Sequence, residues 1–460
     1  MNLARYYPII FWNTANLIVD SGGDQFVLDE DEEEESIDGV DIALSDDDDD
    51  DSEADEQEEK VKNKSADYDK IAAVIGKFRE YGIIVAPPDI NESSFTFTPI
   101  VEDNLILYGL RGITGIGTDI IKTIILNRPY KSMEDFLARV KVKKPQMINL
   151  IKCGAFDKIE NCSREEIMWK YLEGIVDKKA RLTLQNMQML ITKELIPDEM
   201  TFYAKLFLFN KFLKTCKNDE YYNLNDAAIT FISNNFNVDI IDNGNQILQK
   251  VWDKIYNKAM DPMRIYLKEH QTEMLLRLNG DLYNDVVNKY GKGNISRWEM
   301  ESVNYYSHEH ELAAAQPNYD DFFKLNDTPE IEYSFQSRGG QVINVYQLHR
   351  IIGTVIGKNK IKNTVTLLTP TGVVNVKIYK NQYSIYDKQI SAIGDDNKKH
   401  VQEKSWFSRG TLLMIQGIRR GNDFIPKKTK NSFYPIISKI THIDDNGDLT
   451  FQYERMEAEE

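Results

Sequence analysis

Apolar positions along this chain change their period as the sequence advances, and the changes mark its segments. Residues 1–27 mix aromatic and aliphatic side chains at a spacing that predicts a helix, and from about 28 to 64 apolar residues give out. Ile71, Val74, Ile75 and Phe78 then recur at helical intervals, with Gly82 as a stop. Ile83-Ile84-Val85 predicts a short strand leading into a rigid loop, Pro87-Pro88-Asp89-Ile90-Asn91. Phe95 to Ile100 and Leu105 to Tyr108 predict two more strands, joined by a turn at Asp103-Asn104. Ser132 is placed to cap a helix carrying Phe136, Leu137 and Val140, and Pro145 opens another that ends at Gly154.

From 163 to 310 the pattern is helical. Ser163 and Glu166 have the spacing of a capping box, and Ile167, Tyr171 and Ile175 continue one face. Phe202, Leu206, Phe209 and Leu213 form a second stripe, which suits a core. After that the period turns to two. Ile351 to Ile356, Asn363 to Leu368, Val373 to Lys380, Thr411 to Ile418 and Asp423 to Pro426 predict five short strands with one long interruption. That spacing suggests a small Greek-key barrel of the OB type. Asn446-Gly447 predicts a closing hairpin turn.

Between the early strands and the first capped helix lies Leu110-Arg111-Gly112-Ile113-Thr114-Gly115-Ile116-Gly117-Thr118, followed by a helical run. It has the form of a helix-hairpin-helix. A tight glycine turn exposes backbone N–H groups beside a helix N-terminus, where the dipole favours an anion such as a DNA phosphate. The same sequence also suits an ordinary turn. A dinucleotide fingerprint is excluded, because the glycine order is reversed.

Charge sharpens the picture. The net charge is −17, but residues 29–59 hold 20 Asp or Glu and no Lys or Arg, so the remainder carries +3. That acidic tract, with six aspartates from Asp46 to Asp51, cannot bury apolar surface and is expected to be a disordered insertion. From 346 to 440 there are 17 Lys or Arg against 5 Asp or Glu, a basic block suited to nucleic acid. Lys358, Lys360, Lys362, Lys377, Arg419, Arg420, Lys427 and Lys428 fall on its strands and turns. Tyr379, Tyr383, Tyr386 and Phe424 are interleaved with them, which suits single-stranded nucleic acid, although the aromatics also suit a core.

Catalytic motifs fail one by one. Gly353 to Asn359 is one residue short of a phosphate loop, and Asp444 to Asp448 lacks the glycine of a calcium loop. His308 and His310 have no partnered Cys or His nearby for zinc. Cys153, Cys162 and Cys216 are few and odd in number, which suits a reducing cytoplasm, and no stretch reads as a signal peptide or membrane span.

In its order of segments the chain resembles the C-terminal half of bacterial DNA polymerase III alpha subunits, the C-family replicative polymerases, in their phage-encoded branch. Arg5-Tyr6-Tyr7-Pro8-Ile9-Ile10-Phe11 and Pro87-Pro88-Asp89-Ile90-Asn91-Glu92-Ser93 carry the resemblance. So do Tyr108-Gly109-Leu110-Arg111-Gly112-Ile113, Leu150-Ile151-Lys152-Cys153-Gly154-Ala155-Phe156-Asp157 and Glu301 to Tyr306. The resemblance implies a multidomain α+β protein. Distal fingers would occupy 1–27 and 65–105 around the 28–64 insertion, and a helix-hairpin-helix region 106–160. A helical connector would span 161–335, an OB domain 346–443 and a tail 444–460.

By the same resemblance Arg111, Gly112, Thr114, Gly115, Gly117, Thr118 and Lys122 would hold duplex backbone, and the OB residues would lie near single-stranded template. The carboxylates that hold two Mg²⁺ ions belong to the family's palm, which precedes the fingers. Asn91 stands where Pro88-Asp89-Ile90-Asn91 would need a second metal carboxylate. The expectation is therefore that this chain binds no cofactor and has no catalytic residues of its own. It would act in DNA replication with an N-terminal polymerase chain that carries the palm and its Mg²⁺. A sliding clamp is a further expected partner, with Gln185 to Leu190 the nearest peptide, although the match is poor. The alternative is a stand-alone, non-catalytic DNA-binding accessory protein.

Overall fold

The computed structural model describes residues 9–20, 74–75, 83–238, 245–337, 339–393, 399–428, 435–444 and 446–455. The acidic tract, and all of the expected helix around residues 71–78 except Val74 and Ile75, lie outside them. Two compact units result: residues 1–167 with 293–460, and residues 168–292.

The first unit opens with helix α1 (Ile9–Asp20), whose Ile10 and Leu17 are buried. A small sheet follows, made of β1 (Ile84–Ala86), β2 (Thr98–Ile100) and β3 (Leu105–Leu107). Strand β3 lies in the middle, parallel to β1 and antiparallel to β2. Then come α2 (Thr118–Leu126), α3 (Met133–Arg139), α4 (Lys144–Lys152) and α5 (Arg164–Ile175), the last running on into the second unit. The expected caps form. Asp135 N donates to Ser132 Oγ over 3.2 Å, and Ser163 N and Glu166 Oε2 close the reciprocal bond at 2.8 Å. Gly154 ends α4 in the left-handed region at φ +84°.

The second unit holds α6 (Met187–Thr192), α7 (Thr201–Thr215), α8 (Asp226–Asn235), α9 (Gln249–Ala259), α10 (Asp261–Glu269) and α11 (Gln271–Val286). A three-stranded sheet of β4 (Lys217–Asn218), β5 (Tyr221–Asn223) and β6 (Gln246–Leu248) accompanies them. Trp252 is at the centre of its core, its indole N–H donating to Asn210 Oδ1 over 2.9 Å. Of the stripe expected on α7, Leu206 and Leu213 are fully buried and Phe209 packs against Trp252, while Phe202 stays largely exposed.

Back in the first unit, α12 (Ile295–Val303) leads through residues 304–325 to a two-stranded ribbon, β7 (Ile331–Gln336) and β8 (Val342–Tyr346). The barrel follows. It is built from β9 (His349–Asn359), β10 (Thr364–Thr369) and β11 (Gly372–Lys377), then helix α13 (Lys380–Tyr386) and hairpin β12 (Ile390–Ile393)–β13 (Lys399–Glu403). Strands β14 (Leu412–Arg420) and β15 (Asp423–Pro426) complete it. Closure runs β9–β10–β11–β15–β14–β9, with β11 and β15 parallel and every other pairing antiparallel. A five-stranded closed barrel with a helix before its fourth strand is the OB-type topology expected from the strand spacing. Two further strands, β16 (Ile437–Ile443) and β17 (Leu449–Gln452), extend β14 and are joined at the expected turn, where Gly447 N donates to Asp444 O over 3.0 Å.

Within the first unit a buried ion pair ties the hairpin region to the segment that enters the barrel. Arg164, at the start of α5, donates to Glu299 on α12 over 3.0 Å and to Asp157 over 2.5 Å, and it also reaches the Lys152 carbonyl. Burial alone would lower the Arg164 pKa, but the two carboxylates outweigh it and the net direction is upward. Glu299 is 1% exposed and has every lone pair in use. It accepts the backbone N–H groups of Ser307 (2.9 Å) and His308 (3.1 Å), the Ser307 hydroxyl, and His308 Nδ1 at 2.6 Å. Removing one partner of such a pair leaves an uncompensated buried charge. Glu299→Ala is therefore expected to cost about 3–5 kcal/mol, read as a lowered urea midpoint of the first unit. A loss near that of an exposed pair would contradict this assignment.

Candidate nucleic-acid interface

Gly109 to Lys122 folds as one tight hairpin. Leu110–Gly112 makes a single 3₁₀ turn, closed by Gly112 N to Gly109 O at 3.1 Å and Ile113 N to Leu110 O at 3.2 Å. Leu110, Ile113, Ile116, Ile121 and Ile124 are buried and fix the inner side. The outer side is Gly115, Gly117, Thr118 and Lys122, all exposed. Gly115 has φ +77°, a conformation that an L side chain adopts only under strain, and Gly117 is the extended N-cap residue of α2. No side chain caps α2, so the N–H groups of its first turn point outward with the positive end of the dipole. Asp119 shares that turn and Lys122 lies one turn on.

The other polarity of the hairpin is turned inward by α4. Asn149 Nδ2 donates to the Thr114 carbonyl over 2.8 Å and Gln146 Nε2 to the Gly115 carbonyl over 3.2 Å. With those oxygens occupied, donors dominate the outer face, which is what an anion requires. The same two bonds bring the start of α4 beside the hairpin, and with it the exposed Lys143 and Lys144. Reading the sequence missed these two lysines. Their signal was the basic run Lys141-Val142-Lys143-Lys144 just ahead of a helix start.

Two of the hairpin's expected contacts prove to be internal. Gly112 is buried, its N–H is bonded within the turn, and a Cβ there would lie 2.3 Å from the Tyr108 ring. It is a glycine for packing. The Thr114 amide donates to Ser302 O over 2.7 Å, and Tyr108 Oη donates to Val303 O over 2.9 Å, so both anchor the hairpin to the end of α12. Arg111 is half-buried, with its guanidinium 5.8 Å from the Phe95 ring.

On the barrel, Lys377 and Asn359 both pair with Thr364, which brings Lys358, Lys360, Lys362 and Lys377 to one end, with Tyr379 just beyond. All five are exposed, and Lys358 is ion-paired with Asp387. The other four expected residues lie elsewhere, on the β14–β15 turn and past β15. Arg420 and Lys428 are exposed there. Arg419 is engaged internally: it pairs with Asp327 at 2.6 Å, donates to the carbonyls of Phe322 and Leu325, and stacks on the Phe322 ring at 4.5 Å. Lys427 sits 4.4 Å over the Tyr346 ring.

The expectation that the barrel's aromatics interleave with its charge is corrected for three of the four. Tyr383 and Phe424 are buried in the barrel core and Tyr386 packs against it: Phe424 points inward from strand β15, and Tyr383 and Tyr386, three apart on one face of helix α13, close over the barrel. Tyr379 alone faces outward, 65% exposed.

The sites that the sequence set aside take structural roles. His310 uses both ring nitrogens, Nδ1 accepting from Leu312 N at 3.0 Å and Nε2 lying 2.9 Å from Leu368 O. Asp89 Oδ1 accepts the amides of Asn91 (2.7 Å) and Glu92 (2.9 Å), and the Asn91 side chain is bonded to both backbone groups of Tyr130. That loop is a braced turn. Gln185 to Leu190 buries Met187 and Leu190 completely, which leaves neither side chain for a clamp. Gly353 to Asn359, the near match to a phosphate loop, is strand β9.

Residues 82–167 match a family model described as a helix-hairpin-helix motif. The likeness of the whole chain is to proteins named as DNA polymerases. Over 99% of its length it is 37% identical to the Probable DNA polymerase YorL of Bacillus subtilis (strain 168), and equally to the DNA-directed DNA polymerase of Bacillus phage SPbeta. The DNA polymerase III subunit alpha of Thermus aquaticus is 39% identical over 98 residues, 20% of this chain and 8% of that protein. The resemblance seen in the motifs is thus borne out, and the chain is homologous to proteins named as DNA polymerases. It spans 34% of the length of the first two relatives. Among the described residues, no helix is long and apolar enough to cross a membrane.

If the outer hairpin face is a phosphate seat, Lys122→Gln should weaken binding to duplex DNA of any sequence and lower the slope of log affinity against log salt by about 1. The pair Lys143→Gln and Lys144→Gln should do the same with about twice that change in slope. Anisotropy titrations across a salt series check this. An unchanged slope in both variants would remove these lysines from the interface.

Proposed function

We propose that this chain supplies the DNA grip of a DNA-directed DNA polymerase in DNA replication. The hairpin amides and Lys122, Lys143 and Lys144 hold duplex backbone, and the basic end of the barrel lies toward single-stranded template. The observation that carries this reading is the hairpin itself. Its carbonyls are occupied from behind, its helix start is uncapped and exposed, and three lysines surround it, in a chain aligned over 99% of its length with polymerases. Contacts of this kind position a duplex without reading its bases, as a polymerase that must traverse any sequence requires.

In this proposal the phosphoryl-transfer chemistry lies on a partner chain carrying the palm, whose carboxylates hold the Mg²⁺ ions. The residues here contribute binding and alignment of the primer–template, which lowers the entropic part of the barrier. Primer extension tests the reading with the purified chain alone and with the chain isolated from its native cell with its partners bound. Silence alone and synthesis in the complex are expected. Synthesis by the chain alone would place catalytic residues within it, and silence in both would favour the accessory DNA-binding protein.

A further inference from the structure

From Lys358 to Lys380 the chain carries five lysines and no Asp or Glu, and the first three of them lie at the turn between β9 and β10. Asn359 pairs with Thr364 across the ladder, so residues 360–363 make the whole connection. Two asparagines set its shape. Lys362 N donates to Asn359 Oδ1 over 3.0 Å, and Asn363 takes the left-handed conformation at φ +50°. Between them stands Ile361, 94% exposed, with an exposed lysine on either side. The turn's geometry makes no use of that side chain, and in the folded chain it gains nothing from burial. Lys358 is paired with Asp387, whereas Lys360 and Lys362 have no carboxylate partner among the described residues. Asn363 O accepts from Ile378 N over 2.9 Å, which brings Tyr379 and its outward ring to the same end of the barrel.

We propose that the β9–β10 turn is a wedge for single-stranded nucleic acid, with Ile361 inserted between successive bases and Lys360 and Lys362 on the phosphates to either side. The charge identifies the occupant. An aliphatic tip flanked by lysines, in a stretch free of carboxylates, fits a polyanion whose apolar faces lie between its charges. An apolar protein surface would meet the isoleucine but would leave both ammonium groups without partners. A duplex offers open base faces only at its ends, whereas an unpaired strand offers one at every nucleotide, so the wedge holds single strands without selecting sequence. This inference rests on the reading that the basic end of the barrel lies toward single-stranded template. It adds the side chain that meets the bases.

The test uses the full chain, a fluorescein-labelled single strand, a labelled blunt duplex and an oligoadenylate carrying one 2-aminopurine. Ile361→Asn is expected to weaken single-strand binding about fivefold, the loss of one partly buried aliphatic side chain, with the slope of log affinity against log salt unchanged. Lys360→Gln and Lys362→Gln should each lower that slope by about 0.7. Binding of the parent should raise the 2-aminopurine fluorescence as its stack is opened. Ile361→Asn should lose that rise and Ile361→Leu should keep it. Ile361 lies outside the core, so circular dichroism of each variant should match the parent. Unchanged single-strand affinity in Ile361→Asn would overturn the proposal, as would an equal loss on the duplex or the absence of a fluorescence rise with the parent. If the variant binds DNA normally but fails to retain the native partner, the tip is a protein contact and the proposal is wrong. A parent chain that binds neither strand nor duplex would instead remove the DNA-grip reading itself.

Discussion

The buried bond between Arg164 and Glu299 is the constraint on which the first unit depends. It joins the end of the helix-hairpin-helix region to a helix 135 residues further along the chain. Two ions in such a place are stable only when their remaining donors and acceptors are used as well. Asp157 and the Lys152 carbonyl complete the arginine, while the amides of Ser307 and His308 complete the glutamate. The short stretch from Glu299 to His308 is thereby fixed, and each end of it supports something. Ser302 and Val303 accept from the hairpin, while Tyr306 bonds Thr354 inside the barrel at 2.9 Å.

What reaches the surface follows from that internal order. The hairpin's amides can face outward because its carbonyls are held by Asn149 and Gln146, and α4 is itself fastened by Lys152 to Glu301 at 2.6 Å. A rigid donor array loses little entropy when an anion binds, so in the proposed role the fastening behind the hairpin would favour binding without touching the ligand. The ribbon differs in kind. It leaves Ile331, Tyr333 and Phe335 about half exposed.

Much of the fold was legible because local rules and the global structure agree. The Ser132 and Ser163 caps, the Gly154 stop, the hairpin of β2 and β3 and the five barrel strands all follow from neighbours in sequence. What escaped was set by distant partners. Nothing local separates Gly112, pressed on the Tyr108 ring, from Gly115, which stands open at positive φ. Lys143 and Lys144 reach the hairpin through bonds from Gln146 and Asn149 to residues 31 and 35 positions back. On the barrel, strand alternation gives two faces but not which one is inside, which consumed Phe424, and the helix over the barrel carries Tyr383 and Tyr386 onto the core. The ribbon aromatics alternate like any strand, and only the structure shows that, among the described residues, Tyr333 and Phe335 stay about half exposed.

The most direct test is a titration of the chain, ¹⁵N-labelled at glycine, with duplex DNA while the amide resonances are followed. The account predicts that Gly115 and Gly117 shift strongly and saturate together, while Gly112, buried and bonded within its turn, stays in place. Equal shifts at all three would mean that the hairpin rearranges on binding. No shift at Gly115 and Gly117 at saturating duplex would contradict the claim that their face seats the phosphate backbone.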